Sequence, residues 1–158
     1  MKKQLPLVIG VIVILGVLLV FTSQLQTNSQ VRFVEGTNVA CLPNGHQQLA
    51  LHVHPTLAIF VDGEREPIPA NVGIIGSCMS EMHTHDTSGT LHIETASRAR
   101  FNELSLSDFF DVWGQPLDRE GYTMEVSVNG TPVSSVDEVP LEDLAQIELR
   151  YTSISEEG

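Results

Sequence analysis

The start of the chain constrains it most: residues 5–21 form an almost unbroken apolar run, interrupted only by Pro6 and two glycines. A segment this apolar has no place on the surface of a small globule, and its length sits at the lower limit for crossing a bilayer core of about 30 Å. It follows Met1-Lys2-Lys3-Gln4, a short basic head, and no Ala-x-Ala cleavage pattern comes after it. The expectation is an uncleaved signal anchor, a transmembrane helix within residues 1–22, with Lys2 and Lys3 holding the N-terminus in the cytoplasm. A cleaved signal peptide is the alternative. Residues 23–30 are polar and without periodicity, so they read as a tether, which leaves 31–158 as one extracytoplasmic domain.

Charge narrows the partners of that domain. Both lysines lie in the basic head, so beyond the anchor six arginines face all twenty acids. A domain this acidic excludes nucleic acid as a partner and has no basic patch for anionic lipid. Its two cysteines, Cys41 and Cys78, lie outside the cytoplasm on this reading, which favours a disulfide between them. The alternative is that one or both serve as thiolate metal ligands.

The pattern along the domain is mostly that of strands. Residues 31–34 read as a first strand, and 49–61 alternate and are rich in β-branched and apolar side chains, which predicts another. Asp62-Gly63 and Asn129-Gly130 are hairpin turns, each between alternating segments. Residues 89–95, 124–128 and 146–152 predict further strands. One segment switches period. Ser105 followed by Asp108 has the form of a capping box, then Leu106, Phe109, Phe110 and Trp113 recur at helical spacing until Gly114. The predicted class is α+β: a β-rich, mostly antiparallel small domain with one short amphipathic helix.

The chemistry lies in the histidines. All six fall between positions 46 and 92, and four of them form the pairs His52-Val53-His54 and His83-Thr84-His85. Side chains two apart on a strand project from the same face, so each pair presents two imidazoles together. His92-Ile93-Glu94 repeats that geometry. Imidazole suits zinc and copper, and a carboxylate can join the ligands or orient a ring from behind. The candidate metal ligands are therefore His52, His54, His83, His85, His92 and Asp86, with Glu94 orienting a ring and copper or zinc as the ion. If the strands carrying the two pairs are neighbours, all four paired rings converge on one ion. His46, beside a turn, is a weaker candidate. Met79 and Met82 are soft copper donors by type, but gap-filling core is their more ordinary role. No closed zinc-finger spacing and no His-Glu-x-x-His helix is present.

Several of these segments recur together elsewhere. They are His52-Val53-His54-Pro55, residues 68–74, Cys78 with His83-Thr84-His85-Asp86, Ser88-Gly89-Thr90-Leu91-His92-Ile93-Glu94 and Phe109-Phe110-Asp111-Val112-Trp113-Gly114. Across residues 41–117 the chain resembles an uncharacterised family of membrane-anchored extracytoplasmic prokaryotic proteins. The resemblance implies a common site and no particular reaction. Three functions fit the pattern: a carrier or delivery module for copper or zinc, working beside a membrane or periplasmic protein; a small oxidoreductase or hydrolase using the same histidines; or a metal-free interaction domain whose histidines hydrogen-bond among themselves.

Overall fold

Two local breaks in the alternating pattern decide how the domain is built. The computed structural model describes residues 31–42, 46 and 49–155. The anchor and tether expected over 1–30 lie outside the described residues. Among the described residues, no helix is long and apolar enough to cross a membrane.

The first break is at Pro55. The continuous strand expected over 49–61 is instead two strands in two different sheets, β1 (Leu51–Val53) and β2 (Thr56–Val61). Proline has no N–H to give a ladder. Around it the chain is held by a distant segment instead, with Leu144 N donating to His54 O and Thr56 N donating to Ala145 O. From there β2 turns at Asp62-Gly63, both with positive φ, into β3 (Glu64–Glu66), as the turn signal predicts.

The second break is the short crossing from Asn71 to Thr84. Here β4 (Ile74–Ile75) and β5 (Cys78–Met79) pair with one another, and β6 (Met82–His83) follows. Next comes β7 (His92–Thr95), shorter than the predicted strand. Gly89, which opens that segment, has φ 89°, and its carbonyl accepts from Leu57 N at 2.8 Å. A Cβ at Gly89 would collide with the Leu57 carbonyl, so only glycine fits.

Two helices come next: α1 (Arg98–Phe101), a single turn capped by Ser97, and α2 (Leu106–Trp113). The carboxylate of Asp108 accepts from both the N–H and the hydroxyl of Ser105, at 2.7 and 2.8 Å, and Gly114 closes the helix in the left-handed region. Leu106, Phe109 and Phe110 are fully buried, and the helix packs on β6. The chain ends in β8 (Tyr122–Val128), β9 (Thr131–Val133), a 3₁₀ turn at Val136–Glu138 and β10 (Gln146–Ser153).

The large sheet runs β9-β8-β10-β2-β3, and the small one β1-β7-β6. Among the described residues, every pairing is antiparallel except β2 with β10. Leu57 and Ile59 from β2, Val126 and Val128 from β8, and Ile147, Leu149 and Tyr151 from β10 point inward. With Phe109 and Phe110 they form the core. The predicted β-rich, mostly antiparallel α+β class is what these residues adopt. The predicted strand over 31–34 is a correction: Phe33 makes one isolated bridge to Ala40 across a tight turn in which Val34 N donates to Val39 O. The turn leaves too little chain for a ladder.

Cys41 and Cys78 form a disulfide, which excludes them as thiolate ligands. It joins the turn after Phe33 to β5, just before the chain enters β6.

Candidate metal centre

The small sheet places the histidines. Its central strand is β7, with β1 on one side and β6 on the other. His92 of β7 lies directly opposite His83 of β6, and Glu94 of β7 lies opposite His52 of β1. The intervening partners Met82, Ile93 and Val53 face the other way, and Met82 and Ile93 are fully buried in the core. The period-2 alternation therefore sorts apolar side chains to the core and collects imidazoles on the opposite face. His54 and His85 lie just past the ends of β1 and β6 and add to the same cluster.

The rings are close. His52 and His54 have centroids 4.4 Å apart, His54 and His92 4.7 Å, His85 and His92 4.5 Å, and His83 and His85 4.8 Å. Two sets of three ligand nitrogens form, His52/His54/His92 and His83/His85/His92, each with its nitrogens within 4.8 Å of one another. These groups can hold a metal ion. The Nε2 atoms of His83 and His85 are 3.2 Å apart. Two nitrogens on one tetrahedral zinc, at bonds of about 2.05 Å, stand about 3.3 Å apart. The strands bearing the two pairs are not neighbours, so the condition for all four paired rings to meet on one ion is not satisfied; β7 lies between them, and His92 becomes the member that both groups share.

Several of the rings have a partner behind them. His83 is fully buried, and its Nδ1–H donates to Ser80 O at 2.9 Å, which leaves Nε2 with its lone pair toward His85. Burial holds the His83 ring down to a pKa of about 4, only partly offset by that hydrogen bond, so it is neutral and able to coordinate at ordinary pH. His92 is lowered too, first by burial and then by His85, His54 and His52 around it. Glu94 is fully buried; it accepts from His46 Nδ1 at 2.8 Å and lies 2.9 Å from His52 Nε2. His54 is fixed by Asp143, whose carboxylate accepts from the His54 backbone N–H at 2.8 Å and stands 3.5 Å from Nδ1. Thr84, between His83 and His85, is buried, and its hydroxyl donates to Pro69 O and accepts from Val72 N.

Asp86 belongs to neither group. Its carboxylate accepts from Ser88 N at 2.8 Å, and Ser88 holds it well below its ordinary pKa. It shapes the turn after His85. Met82 is buried in the core, and Met79 pairs with Ile74 between β5 and β4. His46, the weakest candidate by position, reaches the cluster through Glu94, with its ring 6.0 to 6.2 Å from those of His85, His83 and His52. Asp143 and the Ser80 carbonyl were not expected. Asp143 is one of twenty acids and is far from the histidines in sequence, and a carbonyl leaves no mark in sequence at all.

His83 is fully buried, while His52 and His54 expose 40% and 37% of their side chains and His85 is exposed as well, so each group meets solvent through at least one ring. Comparison with family models, curated proteins and solved structures returns no match.

Proposed function

We propose that this chain is a membrane-anchored extracytoplasmic protein that binds copper or zinc and carries or delivers it to a neighbouring membrane or periplasmic protein. One observation carries the reading: five imidazoles on and just beyond three adjacent strands form two three-nitrogen groups, with the His83 ring oriented by the Ser80 carbonyl and with the Glu94 and Asp143 carboxylates beside His52 and His54. Neutral imidazole favours copper over zinc where both are available, by the Irving–Williams order. The apolar run at residues 5–21, the Cys41–Cys78 disulfide and the resemblance to membrane-anchored extracytoplasmic proteins support the location.

A second reading has its own support. Three imidazoles leave a coordination position open, and the β1 side is accessible, which suits an ion that activates water or handles oxygen species. Glu94 would then supply the carboxylate that takes a proton or orients a ring.

The test is elemental analysis of the full chain, expressed without a metal-affinity tag and extracted in detergent, beside a variant with His52, His54, His83 and His85 all changed to alanine. Copper or zinc accompanies the wild-type chain and is lost from the variant. A metal-free wild type that takes up neither Cu(II) nor Zn(II) would remove this reading. Protease treatment of intact cells checks the placement: the domain is degraded from outside, whereas a protected domain contradicts export.

A further inference from the structure

We infer that the cluster is built for two ions at once, with the His92 ring bridging them; this deepens the metal-binding reading and rests on it. The two groups of ligand nitrogens have one member in common, His92, and neither group gains a fourth among the described residues. The topology makes that sharing unavoidable. His92 stands on the middle strand, directly opposite His83, with β1 on its other flank. The outer strands are two strand spacings apart, about 9.6 Å at the backbone. Each outer strand brings its own pair, and only the central ring reaches both.

The two pairs are also held independently. His83 is set by the Ser80 carbonyl, whereas His52 is set by Glu94 and His54 by Asp143. Neither pair depends on the other for its orientation, so both are ready to take an ion in the same molecule. On the β1 side it is the Nδ1 atom of His92 that lies 3.5 Å from His52 Nε2, the nitrogen that also stands 2.9 Å from Glu94.

Bridging has a defined chemical balance. A neutral imidazole carries one lone pair and one N–H. When the second ion binds, the His92 N–H proton leaves to water, and the imidazolate donates one lone pair to each ion with no change of oxidation state. The negative ring and the buried Glu94 carboxylate offset part of the charge that two dications bring together. Without the bridge, one pair would stay a two-nitrogen site beside a complete three-nitrogen site.

The experiment is equilibrium loading of the detergent-solubilised full chain with Cu(II), read by copper per chain and by the low-temperature electron paramagnetic resonance signal. Two copper ions per chain are expected, with most of the integrated signal lost because spins joined through one imidazolate couple antiferromagnetically. His92→Ala should restore the signal to the full content of whatever copper remains bound. The double variants H52A/H54A and H83A/H85A should each hold one uncoupled ion, and they decide the matter even where H92A does not fold. One ion per chain with an undiminished signal, or two ions with an undiminished signal, overturns the bridge and leaves the metal-binding reading intact. No bound copper in the wild type, followed by none on a repeat with Zn(II), overturns both.

Discussion

Glu94 shows how much one side chain contributes here without being a ligand. Its carboxylate is fully buried, accepts from His46 Nδ1 and stands 2.9 Å from His52 Nε2. A ring held this way is in the right tautomer and orientation before an ion arrives, and outer partners of this kind are worth about 10–100-fold in metal affinity. Glu94→Gln keeps the shape but replaces an acceptor-only group with one that also donates. The expected result is a loss of affinity in that range, read by competition with a chromophoric chelator, while the stoichiometry is unchanged. A second carboxylate makes a different argument. Glu66 takes a bidentate pair of hydrogen bonds from Arg119 at 2.7 and 2.8 Å, and Arg119 also lies over the Tyr151 ring. The hydrogen bond from Arg119 holds the Glu66 carboxyl below its ordinary 4.5. Its folded pKa is depressed, so its stabilisation is present above the unfolded value and is lost as pH falls through the folded one. In Glu66→Gln, the urea midpoint should therefore change less between neutral pH and pH below about 4.5 than in the wild type. An equal acid slope in both chains would show that the pair does not titrate in this way.

Among the elements, the disulfide has the widest reach for its size. It closes a loop of 37 residues, worth about 3–4 kcal/mol in the chain-entropy account. It also fixes the approach to β6, because Cys41 bridges to Ser80, whose carbonyl orients His83. Replacing both cysteines with serine should lower unfolding free energy by about that amount, measured by urea titration of the folded chain. Capping makes a smaller claim of the same kind: Asp108→Ala removes the oxygen that accepts from both the N–H and the hydroxyl of Ser105 and should cost about 1 kcal/mol. These elements differ in how far sequence could announce them. The hairpins at Asp62-Gly63 and Asn129-Gly130, and the helix from Ser105 to Gly114, are set by side chains within a few residues, so their patterns suffice. The run over 49–61 alternates straight through Pro55, yet its two halves belong to different sheets, because the segment 144–151 that binds the second half lies some ninety residues on. The same limit applies to the site. Paired histidines show that a face carries imidazole, but strand order decides who sits between whom. That order makes His92 the shared ring and leaves Asp86 in a turn.

At the scale of the whole molecule, the metal groups and the core are the two faces of one small sheet. Met82 and Ile93 join the large sheet's core from β6 and β7, while His83 and His92, adjacent to them along the same strands, hold the metal face. Unfolding that removes one face must therefore dismantle the other, and an ion held by the two histidine groups would stay bound only while β1, β6 and β7 stay together. A ligand that binds the native state alone stabilises it by about 2.7 kcal/mol at a free concentration 100 times its dissociation constant. For a domain of this size, each kcal/mol moves the melting temperature by roughly 3–5 °C, interpolating between smaller and larger domains. Zinc at that excess should thus raise the melting temperature of the wild-type chain by about 8–13 °C, and a chelator should reverse the rise. The quadruple histidine variant should melt at one temperature with or without zinc. Calorimetry decides between this coupling and its opposite: a wild-type melting temperature indifferent to zinc, in a chain that demonstrably binds it, would mean that the ion is held as well by the unfolded histidines as by the sheet, and that the alignment of β1, β7 and β6 contributes nothing to affinity.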